Sequence, residues 1–342
     1  MQTSNTVLIN WPPPILRAAG LNPSNVRILV INDGGLNAFV ISGRAIFIYS
    51  GLLQRAGSAG QLQSIIAHEG AHIANGHITR RLSNLRSTNT AAGFGLASAL
   101  AVAIASDDPT AAGGIAAGAT SSAKRQFFVH TRAEEAAADQ LSIRFMLHAG
   151  VDPESATEVL KLFRGQEALS VSRQDPYARA HPLTSYRIRI LQGLIAQNHG
   201  NTKPNPNADL WFARAQGKLS VLIQNPSWTL RRVQNDESPV GLMRAAVAYH
   251  RQANANAAIQ AMQSLLAQHP NNAYWSELYG QILLESRQAS ASVKAYENAV
   301  ALNGNEALML AGYGRALLAL DTVDSNARAV TVLERGRALD GQ

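Results

Sequence analysis

The chain has 342 residues and no cysteine, so disulfides and thiolate ligands are excluded, and any metal would be held by nitrogen and oxygen. Aromatic residues make up only 6% of it and charged residues 15%. The net charge of +7 is dispersed over positions such as Arg80-Arg81, Arg187, Arg189 and Arg231-Arg232. There is no aromatic-basic stripe and no glycine-rich phosphate loop, which argues against nucleic acid as a partner. A basic surface instead fits acidic protein partners or peripheral contact with anionic lipid. Long hydrophobic runs are also missing. The segment 90–123 is mostly Ala, Gly, Ser and short apolar residues, interrupted by Asp107-Asp108-Pro109. Its uninterrupted part, 91–105, falls short of the roughly 20 residues that cross a bilayer as a helix. It reads as a helical hairpin of small residues that covers a site or lies against a membrane surface. The opening residues, Met1-Gln2-Thr3-Ser4-Asn5, lack the charged start and apolar core of an export signal.

What is present is concentrated in a few blocks. His68, Glu69 and His72 stand in Ser64-Ile65-Ile66-Ala67-His68-Glu69-Gly70-Ala71-His72, after an apolar run from Gln61 to Ile66 with no helix breaker. Residues four apart on a helix are separated by about 40° around its axis, so both imidazoles project from one face. That arrangement suits two ligands of one tetrahedral zinc, with the adjacent glutamate placed to deprotonate water at the site. A third histidine six residues after His72 would complete another known zinc pattern, but Ile78 stands there. His77 is five residues on, about 140° around a continuing helix. It is therefore expected to face away from the pair, as a structural or exposed residue.

A third ligand is sought downstream, in the alanine-rich helical stretch Thr131-Arg132-Ala133-Glu134-Glu135-Ala136-Ala137-Ala138-Asp139. A carboxylate here can complete the site, and spacing alone does not choose between Glu134 and Glu135. Asp139, four residues after Glu135, shares its face and can accept from the second ring nitrogen of a ligand histidine. Ala45-Ile46-Phe47-Ile48-Tyr49 is rich in β-branched and aromatic residues and reads as a strand. His181 follows the loop-like Asp175-Pro176-Tyr177-Ala178-Arg179-Ala180.

These blocks, in this order, make the chain resemble the gluzincin-type zinc metallopeptidases that include the BepA-like, HtpX and CAAX prenyl proteases. The resemblance is carried by Asn37-Ala38-Phe39, Ser42-Gly43-Arg44, the strand at 45–49 and Ser50-Gly51-Leu52-Leu53. It continues through His68-Glu69-Gly70-Ala71-His72, Arg132 to Asp139, and His181-Pro182-Leu183-Thr184-Ser185. Together they cover roughly residues 1 to 195. The resemblance implies one zinc per chain on His68, His72 and Glu135, with Asp139 as a supporting carboxylate and Glu69 as the catalytic base. It implies that His181 can reach the zinc as a fourth ligand and hold the enzyme latent. It also implies an exposed strand that pairs with extended protein substrate, with Asn37, Phe39, Ile46 and Ile48 along that edge. Tyr177, Arg179, Arg132 and His181 are unranked candidates for stabilising the oxyanion. The BepA-like branch implies a periplasmic location, an export signal removed before this numbering, and a role in outer-membrane protein quality control. Two departures stand out. Gly70-Ala71 reverses the usual order of small residues before the second histidine, and Ser42-Gly43-Arg44 replaces a common Pro-Gly-Gly, which bears on substrate preference.

The polar, proline-containing stretch at 201–207 reads as a linker. Beyond it Ala246, Gly280 and Gly314 recur every 34 residues, the tetratricopeptide (TPR) period. The expected fold is mainly α with some β: a zincin-like domain with a small sheet at 1–200, then an all-α TPR solenoid at 201–342. Repeats are expected near 239–272, 273–306 and 307–342, with a degenerate helix pair near 208–234. Such arrays hold protein partners on a concave face. Two classes of function remain: a zinc endopeptidase with a substrate- or partner-binding arm, or a TPR scaffold or chaperone whose proteolysis is latent or lost.

Overall fold

A computed structural model describes residues 13–80, 132–169, 173–181, 185–197, 202 and 204–340. The small-residue segment 90–123 lies outside them, so the hairpin expected there is not part of the description. Among the described residues, no helix is long and apolar enough to cross a membrane. The chain forms two compact units, Met1–Gln216 and Gly217–Gln342. The division falls later than the polar linker, inside the helix Pro206–Ile223.

The first unit opens with α1 (Pro13–Ala18) and three strands, β1 (Arg27–Ile31), β2 (Ala38–Ser42) and β3 (Ala45–Tyr49). The sheet order is β1-β3-β2, with β1 parallel and β2 antiparallel to β3. This overturns one expectation. The apolar strand 45–49 is the central strand, and Ile46 and Ile48 are fully buried, so neither lies on a substrate edge. The physical reason is its composition, since a strand apolar on both faces is covered on both. The edge strand that packs on the helix of His68 and His72 is β2, which follows Asn37 and contains Phe39. Phe39 turns its ring into the core, stacked 5.2 Å from Phe47.

After α2 (Ser50–Arg55) comes α3 (Ala59–Ala74), the helix that carries His68, Glu69 and His72. Its start is written locally. Ser58 accepts from the Gln61 amide at 3.2 Å, while the Gln61 side chain accepts from the Gly57 amide at 2.8 Å. This reciprocal pairing satisfies backbone donors that a helix start leaves open. Every residue from Leu62 to His72 is buried. The helix runs between β2 and β3 on one side and α4 (Arg132–His148) and α5 (Glu154–Leu162) on the other. A helix covered on all sides can afford polar residues only where they are paired or hold an ion. Then come the short α6 (Pro176–Ala180) and the longer α7 (Ser185–Gln197).

The helix α8 (Pro206–Ile223) is followed by α9 (Pro226–Arg232) and three pairs: α10 (Pro239–Arg251) with α11 (Ala255–Gln268), α12 (Ala273–Glu285) with α13 (Ala289–Leu302), and α14 (Ala307–Leu318) with α15 (Val323–Asp340). The pairs begin 34 residues apart, at positions 239, 273 and 307, and the helical region fits TPR-like repeats. The small residue of each period is where helices touch. A methyl group placed on Gly280 would stand 2.7 Å from Cδ2 of Tyr296, whose ring is 1% exposed. Gly280→Ala is therefore expected to destabilise the repeat unit. Overpacking of this kind costs about 1–3 kcal/mol, and the better helix propensity of alanine returns at most about 1 kcal/mol. Urea unfolding of the full chain checks this, and an unchanged or raised midpoint would refute the packing role.

Candidate metal centre

His68 and His72 project from one face of α3, with their Nε2 atoms 3.1 Å apart. The second helix brings Glu135 to them: its Oε2 lies 3.4 Å from His68 Nε2 and its Oε1 3.3 Å from His72 Nε2. Glu134, one residue earlier, is half-buried and is not part of this group. From the end of α6, His181 places Nδ1 2.9 Å from Glu135 Oε1 and 3.4 Å from His68 Nε2. All four residues are buried and each offers one atom to a common group.

The spacing is informative. Four ligands about 2.0–2.1 Å from one tetrahedral ion lie about 3.3–3.4 Å from each other, close to the 2.9–3.4 Å separations seen here. Imidazole lone pairs would repel at these distances unless a cation or proton lay between them. Burial opposes a charge on His68, yet Glu135 and Asp139 push its pKa up to about 10. Burial carries His72 the other way, well below the ordinary value for histidine. Burial alone would raise Glu135, but His181, Arg187 and His68 hold it well below the usual carboxylate range. The nitrogen and oxygen donor set, without sulfur, fits zinc.

Glu69 is fully buried, and burial raises its pKa. Neither of its carboxylate oxygens has a hydrogen-bond partner among the described residues, although His181 Nε2 stands 3.4 Å from Oε1. An orphaned buried carboxylate beside a metal-binding group is the arrangement a base needs when its partner is a water.

Around the ligands, His68 Nδ1 lies 3.2 Å from Asp139 Oδ1, the contact expected of Asp139. Arg187, at the start of α7, holds two carboxylates of α4, those of Glu135 and Asp139. Its Nε and Nη2 reach Asp139 at 2.5 and 2.7 Å, and its Nη1 lies 2.6 Å from Glu135 Oε2. Reading Arg187 as one of the dispersed basic residues is therefore incorrect: it is 7% exposed and belongs to the site. The signal available in the sequence was charge balance, since Glu69, Glu135 and Asp139 in one apolar environment carry one more negative charge than a divalent ion supplies, and neutral imidazoles add none.

His77 is the second correction. It does not face away from His72: the two Nδ1 atoms are 2.9 Å apart and His77 is 3% exposed. The assumption of a continuing helix fails at Asn75-Gly76, where α3 ends and Gly76 takes φ +64. A glycine in the left-handed region after an asparagine is a helix stop that the sequence displays openly.

Of the oxyanion candidates, Arg132 and Arg179 are exposed. Tyr177 is buried, its ring stacked on Phe163 at 4.7 Å and tilted against His181 at 4.4 Å. Its amide donates to the Leu36 carbonyl at 3.1 Å, and the His181 amide donates back to the Tyr177 carbonyl at 2.8 Å. This turn fixes His181 against the ligand group.

A His-Glu-x-x-His helix completed by a carboxylate from a second buried helix defines a metallopeptidase centre. Residues 14–195 match the family model described as peptidase family M48, and the chain belongs to that family, whose members are zinc-dependent. The chain is similar to the beta-barrel assembly-enhancing protease of Yersinia pestis, 24% identical over 304 residues, covering 84% of this chain and 60% of that protein. The protein of the same name from Escherichia coli strain K12 is 26% identical over 296 residues, 83% of this chain and 59% of the relative. Metalloprotease LoiP of Escherichia coli strain K12 is 28% identical over 180 residues, 50% of this chain and 62% of the relative. The chain spans less than two thirds of the length of these relatives.

Proposed function

We propose that this chain is a zinc endopeptidase acting on unfolded or misassembled proteins in the periplasm, in the quality control of outer-membrane proteins. Zinc is held by His68, His72 and Glu135, with His181 as a fourth ligand that keeps the enzyme latent. The repeats in 217–342 hold substrate or a partner protein. Support for the setting comes from the relatives, whose names tie them to beta-barrel assembly. A zinc ion at this place supplies Lewis acidity toward a scissile carbonyl and makes water a better nucleophile near neutral pH. Glu69 accepts the proton of the attacking water and passes it to the leaving amine. Extended substrate is taken up along the backbone of β2, the edge strand beside α3, beginning near Asn37.

The observation that carries the latent state is the double engagement of His181. Its Nδ1 sits within the ligand group while its Nε2 lies 3.4 Å from both Glu69 Oε1 and the Ala38 carbonyl. In this reading one ring takes the place of water, stands against the base and meets the edge strand at the Ala38 carbonyl. His181→Ala is expected to retain zinc and to cleave unfolded casein faster than the wild type. A rate and a cobalt-substituted spectrum both unchanged in His181→Ala would overturn the latency. A wild-type protein that binds no zinc would favour the scaffold or chaperone reading instead.

A further inference from the structure

His77 has no task in the chemistry above, yet it is buried against a ligand. His72 turns Nε2 toward His68 and Glu135, at 3.1 and 3.3 Å. Ligation needs the lone pair on that nitrogen, so the proton of the neutral ring must sit on Nδ1. His72 is fully buried, and an N–H that loses water must find an acceptor in the protein. His77 Nδ1 lies 2.9 Å away, with ring centroids 5.0 Å apart and planes inclined by 66°. An N–H on one Nδ1 requires a lone pair on the other, so the proton of His77 belongs on its Nε2.

We infer that His77 is the positioning residue for His72, fixing its tautomer and ring orientation as the acceptor of its Nδ1–H. The inference rests on the metal reading proposed above. His77 does for His72 what Asp139 does for His68, at 3.2 Å, but without charge. The difference has a physical sense. Glu69, Glu135 and Asp139 already share this buried region with Arg187. A further carboxylate on the far side of His72 would add a buried negative charge with no second guanidinium beside it among the described residues. A neutral imidazole satisfies the same N–H at no such cost. The turn at Gly76 makes the contact possible: a Cβ there would meet nothing within 4 Å, so the glycine serves its positive φ and not close packing.

The test uses the full chain and zinc alone, with affinity measured by competition against a chromophoric chelator. His77→Asn puts an amide oxygen close to the position of Nδ1 and keeps an acceptor, whereas His77→Phe fills the space of the ring without one. Loss of a group that orients a ligand typically weakens metal binding about 10- to 100-fold. His77→Phe is expected to show that loss and an altered cobalt absorption band, and His77→Asn to stay within about threefold of the wild type by the same measure. Should the phenylalanine variant fail to fold, His77→Leu gives the same comparison. Wild-type affinity in the variant without an acceptor, or equal losses in the asparagine and phenylalanine variants, would overturn the inference. Absence of zinc binding by the wild type would instead overturn the metal reading beneath it.

Discussion

Glu69→Gln is expected to leave zinc bound and to slow cleavage of unfolded protein by about 10²- to 10⁴-fold, the usual contribution of a positioned general base. Glutamine keeps the size of the side chain and removes its basicity, so the α3 helix should be undisturbed. The argument rests on burial: Glu69 is completely enclosed, and burial raises its proton affinity. A carboxylate in that state is better matched to a proton taken from water at neutral pH than an exposed one. The measurement is best made in the His181→Ala background, which removes the ring 3.4 Å from Glu69 Oε1 and so separates the base from the proposed latency. Zinc content measured alongside separates loss of the base from loss of the metal. Undiminished cleavage by Glu69→Gln would show that another group takes the proton.

The second large effect concerns stability. Arg187→Leu leaves Glu135 and Asp139 buried, at 1% and 4% exposure, without the guanidinium that contacts both. Removing one partner of a buried ionic cluster costs about 3–5 kcal/mol. Burial alone would lower the pKa of Arg187, but Glu135 and Asp139 raise it, so the group is charged and the loss is electrostatic. The metal-free protein is therefore expected to unfold at markedly lower urea. Added zinc should restore part of the difference, because an ion that binds only the folded state stabilises it and supplies positive charge to the same carboxylates. Arg187→Lys keeps a charge but not the planar fork that reaches two carboxylates at once, so it should fall between the two. Equal urea midpoints for Arg187→Leu and the wild type would refute this account.

The two helices of the site differed in how openly they could be read. On α3 the ligands are four residues apart, and the helix period places both on one face without knowledge of anything else. Ser58 and Gln61 mark its start and Asn75-Gly76 its end, so even the turn that brings back His77 was written in the chain, although the extrapolated helix missed it. On α4 the same period aligned Glu135 with Asp139, but no local rule separated Glu135 from Glu134. Resemblance to the family made that choice, and the packing of α4 on α3 gives it a physical form. Arg187 lay furthest from view. Nothing in its neighbours along the chain distinguishes a buried guanidinium from a solvated one, because its partner Asp139 is 48 residues away and Glu135 further still.

The sheet shows the same limit in another form. The run 45–49 declared a strand by composition, but which strands flank it depends on pairing between separate segments. Only the assembled order β1-β3-β2 shows that 45–49 is central and that β2 is the edge. The 34-residue period, by contrast, was legible in the sequence, and helix pairs begin at 239, 273 and 307. Each pair contacts chiefly its neighbours, so a period in the sequence becomes a period in space.

By itself, then, the sequence determined what depends on spacing along one element: a histidine pair able to hold a metal with an adjacent glutamate, a helix start and stop, and a 34-residue array. The tertiary structure alone decided what depends on meeting between elements: the ring of His181 set among ligands and base, the fork of Arg187 across two carboxylates, and the imidazole of His77 behind His72. Local periodicity is fixed by backbone geometry over a few residues. Burial of a charge or of an N–H is resolved by whichever distant group the folded chain brings to it.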